Sequence, residues 1–200
     1  MHREKPNEGA SIRRGRHAIS VAALLSALAL GGCSSVGANG APKAVNIPLT
    51  SSAIHGSQLS AAYTCDGKDI SPPLKWGAVP SSVEELALFA LEVGPRTAGR
   101  YTLTVDWAMA GVAPALHHLG AGELPRGAFV LEANDGKRRY SICPARGTTT
   151  HYEFALFALP IGVHAAPQLR SVTLLSNLSS STPQTAAPAD GAFLVRYTRR

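Results

Sequence analysis

The chain has 200 residues, 45% of them hydrophobic and 16% charged, with 19 Lys and Arg against 13 Asp and Glu and a net charge of +6. That length sets one domain with tails. The modest charge, with no basic stripe interleaved with aromatics, excludes a nucleic-acid binder.

In chain order, Met1 to His17 is polar and basic, with Arg13, Arg14 and Arg16 just ahead of an apolar run from Ala18 to Leu30. The run is too short to span a bilayer as a helix, which needs roughly 20 residues. A basic stretch, a short apolar stretch and small residues behind it read as a secretory signal. The segment ends Leu30-Gly31-Gly32-Cys33, which resembles the lipobox of bacterial lipoproteins, cut before a Cys that carries diacylglycerol. The expectation is a signal peptide over 1–32, a lipid anchor at Cys33 on the extracytoplasmic side of a bacterial membrane, and a tether over 33–44, "CSSVGANGAPKA". The signal carries five Lys and Arg and two acids, so its removal takes the net charge from +6 to +3.

The domain then covers 45–200. "VNIPLTS" opens it, "ELALFALEV" (85–93) and "YEFALFALP" (152–160) read as central strands covered on both faces, and "RYTLTVDWAMAGV" (100–112) alternates. "GAFVLEA" (127–133) and "AFLVRYTRR" (192–200) are further strands, and 164–180 predicts one helix starting near Pro167. The class is mainly β with a minor helical part. With Cys33 acylated, Cys65 and Cys143 are left as an even pair in an oxidising compartment, either disulfide-bonded or two separate buried thiols.

The stretch "LTSSAIHGSQLSAAYTCDGKDISPPLKW" (49–76) resembles the signature of bacterial phosphatidylethanolamine-binding proteins, the Raf kinase inhibitor-like branch. "ELALFALE", "VDWAMAGVAP", "ANDG", "YSICPARG", "YEFALFALP" and "VRYTR" follow in the family's order. The resemblance implies a Greek-key β-sheet core, a second sheet and a short C-terminal helix. It also implies a small anion pocket for phosphate or phosphoryl headgroups, bordered by the loop of Asp66.

The pocket residues depart from that pattern. One family carboxylate is kept as Glu92 and the other is Gly94. The pocket His before Trp107 is Asp106, and an ionised Asp only accepts hydrogen bonds and repels anions. Anchoring on Tyr152 puts Thr150 at a second pocket His, while a one-residue slip restores His151; Arg146 or Arg96 is the replacement positive charge. Trp76 and Trp107 are core or pocket-wall aromatics.

Enzyme chemistry is not expected. There is no G-x-S-x-G elbow, His117-His118 lacks metal-ligand spacing, and a Cys143/His151 nucleophile pair competes with the Cys65 partnership. The sequence therefore implies a membrane-anchored, non-enzymatic module without cofactor or metal. It would bind a small anion, a phospholipid headgroup or a protein partner. The alternatives are an interaction lipoprotein with a vestigial pocket and an envelope enzyme inhibitor.

Overall fold

The apolar runs at 85–93 and 152–160 form the middle of one large sheet, where both faces of a strand must be covered. The structure is a computed structural model and describes residues 45–180 and 189–200. The signal segment, Cys33, the tether and residues 181–188 lie outside the described residues.

The strands are β1 (Val45–Asn46), β2 (Leu49–Thr50), β3 (Ile54–His55), β4 (Gln58–Leu59), β5 (Leu74–Trp76), β6 (Val83–Thr97), β7 (Arg100–Val112), β8 (His118–Leu119), β9 (Phe129–Val130), β10 (Thr149–Pro160) and β11 (Ala189–Thr198), with one helix, α1 (Ser171–Ser180). The large sheet runs β3-β4-β11-β10-β6-β7-β9, with β1 added parallel to β11; a small sheet runs β2-β5-β8. The expected mainly-β class, second sheet and short C-terminal helix are all present.

Alternation along β6 divides the core in two. Leu86, Leu88 and Ala90 face the small sheet, joined by Trp107, Met109, Phe154, Leu156, Trp76 and Leu119. Ala87, Phe89 and Leu91 face the helix side, joined by Val105, Leu131, Leu159 and Leu174 of α1. Each large apolar side chain buried this way contributes about 1.5–3 kcal/mol. Gly191 lets β1 cross over β11: a Cβ there would lie 1.8 Å from the Ile47 carbonyl oxygen.

Three boundaries differ from the sequence expectation. The helix begins at Ser171 rather than near Pro167, because Arg170 forms a bridge with Glu132 and Ser171 donates to the Glu132 carbonyl from both its N–H and its hydroxyl. The strand at 127–133 is confined to β9, because the chain turns at 133–137, where Ala133 donates to the Lys137 carbonyl and Gly136 to the Ala133 carbonyl. The final strand starts at Ala189, paired with Ala158 of β10.

Candidate functional site

The site grows from a break in the β6–β7 ladder. Ala90 pairs with Trp107, but Leu91 pairs with Val105, so Asp106 is an extra residue in β7. A bulge of this kind bends its strand and re-aims a side chain. Asn134 pins it: its N–H donates to the Val105 carbonyl at 2.9 Å, and its Oδ1 accepts from the Val105 N–H at 2.7 Å. Asn134 thus satisfies both backbone polar groups of Val105.

Asp106 stands among groups on the small-sheet face. Tyr152 of β10 is opposite Glu92 of β6, which is opposite Thr104 of β7. Trp107 is buried and meets Tyr140 edge to face, with ring centroids 5.7 Å apart. Tyr140 donates its hydroxyl to the Tyr63 carbonyl at 3.0 Å, which ties this wall to the loop at 62–76.

Burial pushes the Asp106 carboxyl up to about 7, with the charges of Glu92 and Asp135 adding to it. Burial also raises Tyr152, helped by Asp106 and Glu92, and Tyr140, helped by Asp69, Tyr152 and Asp106. Among the described residues no Lys or Arg forms an ion pair with Asp106 or Glu92. Tyr152 is 0% exposed, and among the described residues its buried hydroxyl makes no hydrogen bond of ordinary geometry, although Thr150 is near enough to temper its shift. An orphaned hydroxyl beside two carboxylates is costly, and such groups mark places where a further polar species belongs.

The loop at 62–76 is held firmly beside this site. Cys65 and Cys143 form a disulfide with Cα atoms 5.2 Å apart, and the Cys65 N–H donates to the Ile142 carbonyl. The expected alternative of two separate thiols is therefore not realised. Asp66 accepts from the Tyr197 hydroxyl at 2.6 Å and from Arg199 Nε at 3.1 Å. The Tyr197 bond, outweighing partial burial and aided by Arg199, holds its carboxyl below the ordinary range. Gly67 is required because a Cβ would lie 2.4 Å from the Ala61 carbonyl oxygen. Asp69 adopts a positive φ of 51° and accepts from Arg139 at 2.9 Å and Ser141 at 3.2 Å, while its Oδ1 is buried without a partner. Among the described residues Trp76 Nε1, in the core, is the third such atom.

Of the sequence candidates, Glu92, Asp106, Trp107 and Tyr152 come together, with Asp66 on the adjoining loop. Three do not join them. His151 pairs with Val93 and Arg196 and points to the other face, because it neighbours Tyr152 in the same strand. Arg146 is exposed and donates to the Arg200 carbonyl, and Arg96 donates to Gly99. Neither supplies a positive charge to Asp106. Asp69, Asn134 and Tyr140 were missed as site residues. Asp69 shares the Asp-Gly loop with Asp66, and the other two fall inside quoted segments, but only the fold reveals that they converge. A cavity of about 630 Å³, lined by Lys75, His117 and His118 among others, lies elsewhere. Among the described residues no three His, Cys, Asp or Glu are placed to hold a metal, and no helix is long and apolar enough to cross a membrane.

A family model for phosphatidylethanolamine-binding protein matches residues 50–193. A UPF0098 protein of Mycobacterium tuberculosis H37Rv is 36% identical over 107 residues, 52% of this chain and 49% of that protein. The chain thus spans about half the length of the mycobacterial relatives it matches. A UPF0098 protein of Methanothermobacter thermautotrophicus is 32% identical over 108 residues, 51% of this chain and 68% of that one. In structure, a phosphatidylethanolamine-binding protein homolog from Chlamydia trachomatis superposes with a TM-score of 0.63 at 23% identity, covering 78% of this chain and 99% of that one. YbcL of Escherichia coli superposes with a TM-score of 0.62 at 20% identity, covering 77% and 99%.

Proposed function

The chain belongs to the phosphatidylethanolamine-binding protein family, and on that premise we propose that it is a non-enzymatic binding module selecting small ligands through their ammonium group, as in an ethanolamine headgroup. The observation that carries this reading is the Asp106 bulge. It places a half-buried carboxyl beside Glu92, with no Lys or Arg paired to either among the described residues and an unpartnered Tyr152 hydroxyl close by. An ammonium ion has three donors and a positive charge, which matches carboxylates and a phenolic oxygen. A lone phosphate at pH 8 meets like charges there and binds poorly. Below pH 7, protonation of Asp106 removes one charge and supplies a donor, so an anion is tolerated better in acid.

A phosphoethanolamine headgroup offers the ammonium end to this site and leaves its phosphate to solvent. A lipid anchor at Cys33, with 33–44 as tether, would hold the domain at an extracytoplasmic bacterial membrane surface where such headgroups occur. Mass spectrometry of the mature protein tests this, and an N-terminus other than acylated Cys33 contradicts it.

Thermal melting at pH 8 with ethanolamine, phosphoethanolamine, phosphate and acetate tests the ligand class. A ligand at 100 times its dissociation constant stabilises by about 2.7 kcal/mol. The two amines raise Tm and the two simple anions do not. An equal shift with phosphate contradicts amine selection, and no shift with any of the four removes the binding reading.

A further inference from the structure

Facing away from the acid site, the large sheet ends in a basic and aromatic surface with no role so far. The β6–β7 hairpin closes through Ala98 and Gly99, both at positive φ, the two-residue loop that suits the twist of paired strands. Below the tip, Arg96 pairs with Tyr101 and Val93 with Leu103, and the latter row continues through His151 to Arg196. Leu194 is opposite Glu153 in the next row. These side chains alternate with Glu92, Tyr152 and Val195, so they share the opposite face.

Tyr101, Leu103 and Leu194 are 60%, 42% and 61% exposed and rim a cavity of about 620 Å³. Arg96, Arg100 and Arg196 are exposed around them, and the Arg96 guanidinium lies 5.8 Å from the Tyr101 ring centroid. Glu153 is the one carboxylate among the residues lining that cavity.

We propose that this face docks onto an anionic lipid surface. Tyr is suited to headgroup depth, with an apolar ring and a wet hydroxyl. Arginine stems lie along apolar surface while their heads reach phosphates. Arg96, Arg100 and Arg196 against Glu153 and its neighbour Asp190 leave the patch net positive, a sign complementary to anionic lipid. The same charges disfavour a second copy of this chain, since a two-fold contact would set the arginines of one protomer against those of the other. Three exposed apolar side chains are too few for permanent insertion, so docking is reversible. It does not depend on the amine-binding site.

The test uses the full chain carrying Cys33→Ser, which removes acylation, and Tyr101→Trp as reporter; Trp76 and Trp107 are buried and contribute a constant background. The probes are vesicles of phosphatidylcholine alone and of phosphatidylcholine with phosphatidylglycerol. The expected result is a blue shift of Trp emission and co-sedimentation with the phosphatidylglycerol vesicles, both lost with added salt. Adding Arg96→Glu and Arg100→Glu weakens binding by at least the roughly fivefold that each lost arginine represents. Arg196→Glu gives the same direction and serves if the double variant misfolds. Binding unaffected by charge reversal, sedimentation without a Trp shift, or a Trp shift from self-association without vesicles would each overturn the proposal.

Discussion

Two carboxylate–tyrosine corners stand on the same face of the large sheet, and they are wired in opposite ways. At one, Asp66 accepts from Tyr197 and Arg199, Arg199 also reaches the Pro144 carbonyl and Cys143 Sγ, and the disulfide closes the corner. At the other, Asp106 has Glu92 and Asp135 for electrostatic neighbours, and the Tyr152 hydroxyl has no partner. The first carboxyl is shifted down and the second up. The residue types are alike; the Tyr197 hydroxyl bond, aided by Arg199, at one corner and the deeper burial of Asp106 at the other separate them. Charge that is satisfied internally fixes the loop, while charge left without an internal partner is available to a ligand and costs stability until one arrives.

The comparison can be broken from either side. Removing the disulfide with Cys65→Ser and Cys143→Ser opens a loop with a sequence separation of 78, and the chain-entropy model predicts a loss of about 4–5 kcal/mol in denaturant unfolding. Asp106→Asn acts the other way. The folded state holds the Asp106 proton to about pH 7, whereas the unfolded chain releases it near its ordinary value. Stability contributed by this group therefore falls as pH rises between about 4 and 7 and stays low above. The Asn variant gains up to about 4 kcal/mol at pH 8 and nothing below pH 4. An unchanged pH profile would show that Asp106 is not shifted.

Asn134→Ala strips the Val105 N–H of its acceptor and costs about 1–3 kcal/mol, with loss of amide protection at Val105 as the local readout. Smallest is the tyrosine pair. Tyr152→Phe removes an unpartnered buried hydroxyl and stabilises by about 1 kcal/mol. Tyr197→Phe destabilises at neutral pH, and that loss fades as Asp66 is protonated in acid. Equal effects from the two tyrosine variants would erase the distinction between the corners.

The scaffold was readable because its information is local. The apolar runs at 85–93 and 152–160 each state their structure within a few residues. The site was only half readable. Glu92, Asp106, Trp107 and Tyr152 stood out as departures from or remnants of a family pattern. Period-two alternation decides which face a residue takes, so the doubtful register between Thr150 and Tyr152 left His151 open until the pairing with Val93 and Arg196 fixed it. Asn134 and Asp69 act through contacts far away in sequence, and no local pattern announces them.

The most direct test of the charge reading is a calorimetric titration at pH 8 of ethanolamine and of phosphate into the protein and into Asp106→His. The account predicts that the native protein binds ethanolamine and not phosphate, and that the histidine variant shifts the preference toward phosphate. Phosphate binding by the native protein at pH 8, or a preference that the substitution leaves unmoved, would contradict it.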